Sequence, residues 1–91
     1  MLFVIHCVDK KDHLQVRLDN RPAHIEYLKS SGEKLFAAGP TLSDDGTMNG
    51  SVIIIDQENL AAAENFAAND PYNKAGLFAN VMVSTWKKVL P

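Results

Sequence analysis

Three stretches of this chain, LFVI at 2–5, VIII at 52–55 and VMV at 81–83, are hydrophobic at every position. Side chains of a strand alternate between the two faces of its sheet, so a sheet wetted on one face reads apolar, polar, apolar. These segments do not alternate, and each therefore needs cover on both sides. Residues 2–9, 34–42, 50–56 and 78–89 read as strands, while residues 13–31 and 58–69 read as helices. The resulting β-α-β-β-α-β order is the split arrangement of α+β, ferredoxin-like folds. It predicts a four-stranded antiparallel sheet with two helices on one face. The helices leave the second apolar face bare. An identical sheet from another subunit is the simplest cover, which predicts a homodimer through the sheet face.

Local signals refine the elements. Leu14, Leu18, Ile25 and Leu28 recur near one face of the first helical run, but Pro22 interrupts it. Proline suits a first helical turn, and Asn20 can cap it. The expectation is therefore a short turn at 12–18 followed by a firmer helix from 20 to 31, stopped by Gly32. Gly39-Pro40 places an edge or a bulge in the second strand. Ser43-Asp44-Asp45-Gly46 is a turn. In the second helix, Leu60, Ala63 and Ala67 fall inward at helical spacing, and the last strand is expected to contain Trp86.

The chain's 91 residues suit one domain, 1–91, with a modest core, so burial against a partner adds usefully to it. A formal net charge of -2 with scattered basic residues gives no reason to expect nucleic acid or an anionic membrane as partner. No apolar run reaches the roughly 20 residues of a membrane span, and the N-terminus lacks a signal-peptide pattern. The single cysteine, Cys7, cannot form an internal disulfide and fits a reducing, cytoplasmic setting.

Chemistry-bearing residues are few. His13 begins a helix and reads as solvated. His6, amid hydrophobes, reads first as a hydrogen-bonded histidine in or beside the core. Arg17, Arg21, His24 and Tyr27 are separated by four, three and three residues, so they line one helical ridge. The same spacing describes a basic, solvated face beside Glu26 and Lys29, and spacing alone favours that plainer reading. His6, Cys7 and His24 have no metal-ligand spacing, and neither a Gly-rich phosphate loop nor a GxSxG elbow is present, so no metal and no cofactor are expected. Cys7 reads as packing. Asp70 has two readings in NDPY, residues 69–72. Asn-Asp-Pro ends a helix, because proline drives the preceding residue out of the α region. Alternatively, Asp70 accepts the N–H of an imidazole and raises the basicity of its other nitrogen.

RPAHIEYL at 21–28, AAGP at 37–40, NDPYNKAGLF at 69–78 and TW at 85–86 together resemble the YciI-like (YCII-related domain) family. The resemblance covers nearly the whole chain, in order. It implies a ferredoxin-like, dimeric α/β-barrel subunit with a pocket holding a His–Asp pair. The family histidine falls on His24 and its aspartate on Asp70. The preceding arginine falls on Arg21, the Gly-Pro element on Gly39 and Pro40, and the aromatic on Tyr72. Thr85 stands where the family often has proline. A relative acts as a dehydrochlorinase on a chlorinated hydroxyquinol, which points to lyase-like proton chemistry. The expectation is a small cofactor-independent enzyme with His24 and Asp70 as its acid–base pair. Arg17, Arg21, Gly39, Pro40 and Tyr72 would contact a small anionic or hydroxy-aromatic substrate, with Arg21 holding an anionic or enolate oxygen. The alternative is a ligand-binding or accessory module without turnover.

Overall fold

The two faces of the sheet differ sharply in burial. In β1 (Leu2–Asp9), Phe3, Ile5 and Cys7 are at most 1% exposed, whereas Val4 and His6 between them are half-buried. The computed structural model describes residues 1–91. After β1 come α1 (Leu14–Lys29), a one-turn 3₁₀ segment (Gly32–Lys34), β2 (Leu35–Leu42) and β3 (Met48–Asp56). Next are α2 (Leu60–Ala68), a single turn α3 (Pro71–Lys74) and β4 (Phe78–Thr85). The four strands pair antiparallel in the order β2-β3-β1-β4, the ferredoxin-like arrangement expected from the element order.

Register decides which residues share a face. Ile5 lies opposite Ile53 and Val83, and Phe3 opposite Ile55. These residues pack beneath the helices with Leu28, Ala63, Ala67, Tyr72, Leu77 and Phe78. His6 lies opposite Val52 and Met82, and Val4 opposite Ile54, on the face no helix covers. Both faces are apolar, as the unalternating strands imply. Cys7 belongs to the core, where burial, aided by Asp70 and Asp9, pushes its thiol up to about 12.

Three expectations need correction. α1 runs unbroken through Pro22, and Asn20 does not cap it; its amide instead donates to the Val16 carbonyl at 2.9 Å. Proline removes the hydrogen bond to the Leu18 carbonyl. Pro22 and Leu18 are both exposed, so water can serve that carbonyl. Second, Leu14, Leu18 and Ile25 are exposed; the buried positions of α1 are Arg17, His24 and Leu28. Leu60 is likewise exposed, although Ala63 and Ala67 are buried. Third, β4 stops at Thr85, with Trp86 just beyond it, its amide bonded to the Leu2 carbonyl at 2.9 Å. The edge expected at Gly39-Pro40 is present: β2 is an outer strand, where a missing N–H costs little. Gly32 adopts a φ of 57°, a left-handed conformation that lets the chain leave α1 without side-chain strain.

Gly50 is required by close approach, because a Cβ there would collide with the Cys7 carbonyl oxygen and stand 2.6 Å from Thr41 Oγ1. The Gly50→Ala variant should lose about 1–3 kcal/mol of stability, as overpacked cores do, read as a lower urea midpoint at unchanged slope.

Candidate active site

The sequence Asp70-Pro71-Tyr72 builds one corner of the site. Pro71 opens α3, where its missing N–H is harmless, and the Asp70 carboxylate caps the turn by accepting the Tyr72 amide at 2.9 Å. The same carboxylate meets His24 from α1: Nδ1 lies 2.9 Å from Oδ1 and 3.0 Å from Oδ2. A carboxylate only accepts, so Nδ1 carries a proton, and in the neutral ring Nε2 keeps a lone pair. Asp70 is 1% exposed and His24 7%. Both readings of Asp70 thus describe one side chain: it starts the turn that follows the helix, and it holds an imidazole.

Tyr72 stacks on the His24 ring, with centroids 3.9 Å apart and planes at 15°. Burial raises the Tyr72 phenol above its ordinary range, against the opposing pull of Arg17 and Arg21, so it remains a neutral hydrogen-bond donor. The Arg17 guanidinium lies 4.6 Å from the Tyr72 ring centroid. It is anchored on the other side: Nε donates to Asp9 Oδ2 at 2.7 Å, while Nη2 donates to Asp9 Oδ1 at 3.0 Å and to Ser51 Oγ at 2.9 Å. The plainer reading of this ridge, a solvated basic face, does not hold for Arg17 or His24, which are both buried. Arg21 is exposed and has no ion pair. Tyr27 serves another purpose: its hydroxyl donates to the Phe66 carbonyl at 2.8 Å and ties α1 to α2.

These groups border a cavity of about 150 Å³ between α1 and β2–β3. A cavity of roughly that size accepts one benzene ring. Arg17, Arg21, His24, Ser51 and Tyr72 supply its polar lining. Ile25, Leu28, Met48 and Ile53 make an apolar wall, completed by Ala38, Gly39 and Pro40 of the edge strand. All seven residues expected to form the site therefore converge, with Asp70 behind His24. His6 projects from the opposite sheet face, and His13 contacts only the Lys11 carbonyl, at 2.7 Å.

Asp9 and Ser51 were not among the expected residues. Asp9 sits at the end of β1, where a polar residue reads as a strand stop. Ser51 carried a usable signal: it shares the buried parity of Ile53 and Ile55, so a hydroxyl there needs a buried partner.

The YCII-related domain matches residues 1–87, and the chain belongs to this family. Protein YciI of Escherichia coli is 39% identical over 97 residues, which span 98% of this chain and 99% of the relative. Among solved structures, 5-chloro-2-hydroxyhydroquinone dehydrochlorinase (TftG) from Burkholderia phenoliruptrix, in complex with 2,5-dihydroxybenzoquinone, superposes with a TM-score of 0.88. It is 43% identical, with 96% of this chain and 94% of that one covered. An antibiotic biosynthesis monooxygenase shares the fold alone, at a TM-score of 0.59 and 15% identity over 99% of this chain and all of that one.

Arg17 and Asp9 have side chains only 2% and 7% exposed, so neither charge has water to fall back on. The Arg17→Met variant should be destabilised by about 3–5 kcal/mol, because it strands the Asp9 carboxylate. An Arg17→Met/Asp9→Leu double variant should recover most of that loss in urea denaturation.

Proposed function

We propose that this protein is a small cofactor-independent enzyme that moves protons on a small anionic or hydroxy-aromatic substrate, in a reaction of the elimination, isomerisation or lyase type. The observation that carries this reading is the pairing of His24 Nδ1 with Asp70 beside an open cavity. Asp70 holds the ring in the tautomer that leaves Nε2 basic and stabilises the imidazolium formed when Nε2 accepts a proton. The apolar wall suits a ring, and Arg21 at the exposed rim attracts negative charge. TftG is by name a dehydrochlorinase, which supports an elimination among these classes. An elimination needs only a base to take the proton, a path for the leaving group and a place for the electron pair, and the cavity offers the first directly.

The uncovered sheet face extends the proposal to assembly. Val4, His6, Val8, Val52, Ile54 and Met82 share it, and Met82 is 50% exposed. A face so apolar and free of charge at its centre is self-complementary, and a second copy of the chain is its occupant.

Two experiments test these readings. In the Asp70→Asn variant the amide can donate to Nδ1 and move the ring proton to Nε2. Nitrogen-15 spectra should show protonated Nδ1 in the wild type and protonated Nε2 in the variant. Turnover of a chlorinated hydroxyquinol should fall by about 10³–10⁴, the loss typical of a wrong tautomer. An unchanged tautomer would remove the pairing; retained binding with no turnover in either protein would favour the ligand-binding alternative. In sedimentation equilibrium the wild type should be a dimer and Ile54→Lys a monomer, since a lysine there must be desolvated on association. A monomeric wild type would sink the assembly.

A further inference from the structure

Every buried side-chain nitrogen and oxygen in the molecule has a hydrogen-bond partner. Three polar atoms on otherwise buried side chains make no close hydrogen bond, Arg17 Nη1, His24 Nε2 and the Tyr72 hydroxyl, although the Arg17 guanidinium and the Tyr72 hydroxyl interact with each other across a longer gap. Each is therefore accessible, and the cavity is the space that all three side chains border. Their surroundings hold them still. Arg17 is clamped by three hydrogen bonds through Nε and Nη2, which leaves only Nη1 to offer. Tyr72 is sandwiched by contact with the His24 ring and the Arg17 guanidinium, at 3.9 Å and 4.6 Å. His24 is fixed by Asp70.

We infer that Arg17 Nη1 and the Tyr72 hydroxyl form an oxyanion site facing the base His24 Nε2, with Asp9 and Ser51 as positioning residues that aim Arg17. This rests on the acid–base reading of the site and names its substrate class: a phenol or carbonyl compound whose conjugate base is a phenolate or enolate. The proton leaves the substrate for Nε2. The electron pair left behind moves onto the substrate oxygen, which the two donors hold. The assignment moves the oxyanion contact expected at Arg21 to Arg17. Arg21 is exposed, and its charge is screened by water. Arg17 is dry and pre-oriented, the state in which a donor favours charge that develops during reaction. Its charge is balanced by Asp9, so the cavity floor does not require an anion at rest. A neutral substrate can enter, and stabilisation grows as charge forms, which accelerates a reaction where uniform binding does not.

The probe is 4-nitrophenol, whose ionisation is read from its visible absorbance. Bound to the wild-type protein, its acid ionisation constant should rise at least tenfold over the free dye. Arg17→Lys keeps a cation beside Asp9 but has no Nη1, and should lose most of that rise; Tyr72→Phe and Ser51→Ala should each lose part of it. Arg21→Gln should weaken binding several-fold while the rise in the bound dye persists. His24→Ala separates the two proposals. A rise that persists in His24→Ala and vanishes in Arg17→Lys establishes the oxyanion site whatever becomes of the base. A rise lost in His24→Ala but kept in Arg17→Lys overturns the oxyanion site and leaves the acid–base pair standing. No binding, or no rise in the wild type, also overturns it. If circular dichroism shows that Arg17→Lys does not fold, Ser51→Ala and Tyr72→Phe decide, and a rise unchanged in both overturns the inference.

Discussion

The first helix turns an arginine and a histidine toward the sheet beside Leu28, and most of the site follows from the need to satisfy them. A buried guanidinium or imidazole without a partner would cost several kcal/mol, more than a modest core can absorb. Arg17 is met by Asp9 from the end of β1 and Ser51 from β3. His24 is met by Asp70 from the connection after α2. These contacts fasten α1 on either side of Pro22, to the strand just before it and to β3 and the corner after α2. They give a physical account of why the helix continues where its local sequence argues for a break: each anchored half holds the other in register.

The same contacts create the space. Where leucines would have interdigitated with the Ile53 face and closed the gap, rigid polar groups with specific partners leave a ring-sized cavity lined on one side by β2. Asp70 serves local structure and, in the proposed reaction, chemistry together. One oxygen caps α3 through the Tyr72 amide, so the turn that positions Tyr72 also aims the carboxylate at His24. Both functional side chains are thereby located relative to each other within a few ångströms by a single three-residue corner. A catalytic arrangement needs that tolerance, and short, cap-stabilised turns supply it better than open loops.

The two faces of the sheet differ in what they offer. One packs under the helices and carries Ser51 into the site; the other presents Val4, Ile54 and Met82 around His6. A substitution on the second face therefore probes the proposed assembly without touching a residue of the cavity.

Much of this was legible in the amino-acid sequence. Hydrophobes at both parities in three strands, with helices between, dictated the strand and helix order and implied two apolar sheet faces. The motifs around His24, Gly39-Pro40 and Asp70 marked one wall of the cavity after another. The course of α1 departs from its local pattern because proline and leucine spacing are local signals, whereas its continuity and rotation are set by partners as far as 46 residues away. The roles of Asp9 and Ser51 are hidden in the sequence for the same reason: a strand-end aspartate and a strand serine acquire meaning only when a guanidinium lies between them. Sequence by itself determined the periodicities, and hence the sheet and its helices, because hydrophobic burial depends on which residues share a face. Tertiary structure alone decided which buried charges meet, because a hydrogen bond needs two atoms within 3 Å, and no spacing along a chain specifies that between separate elements.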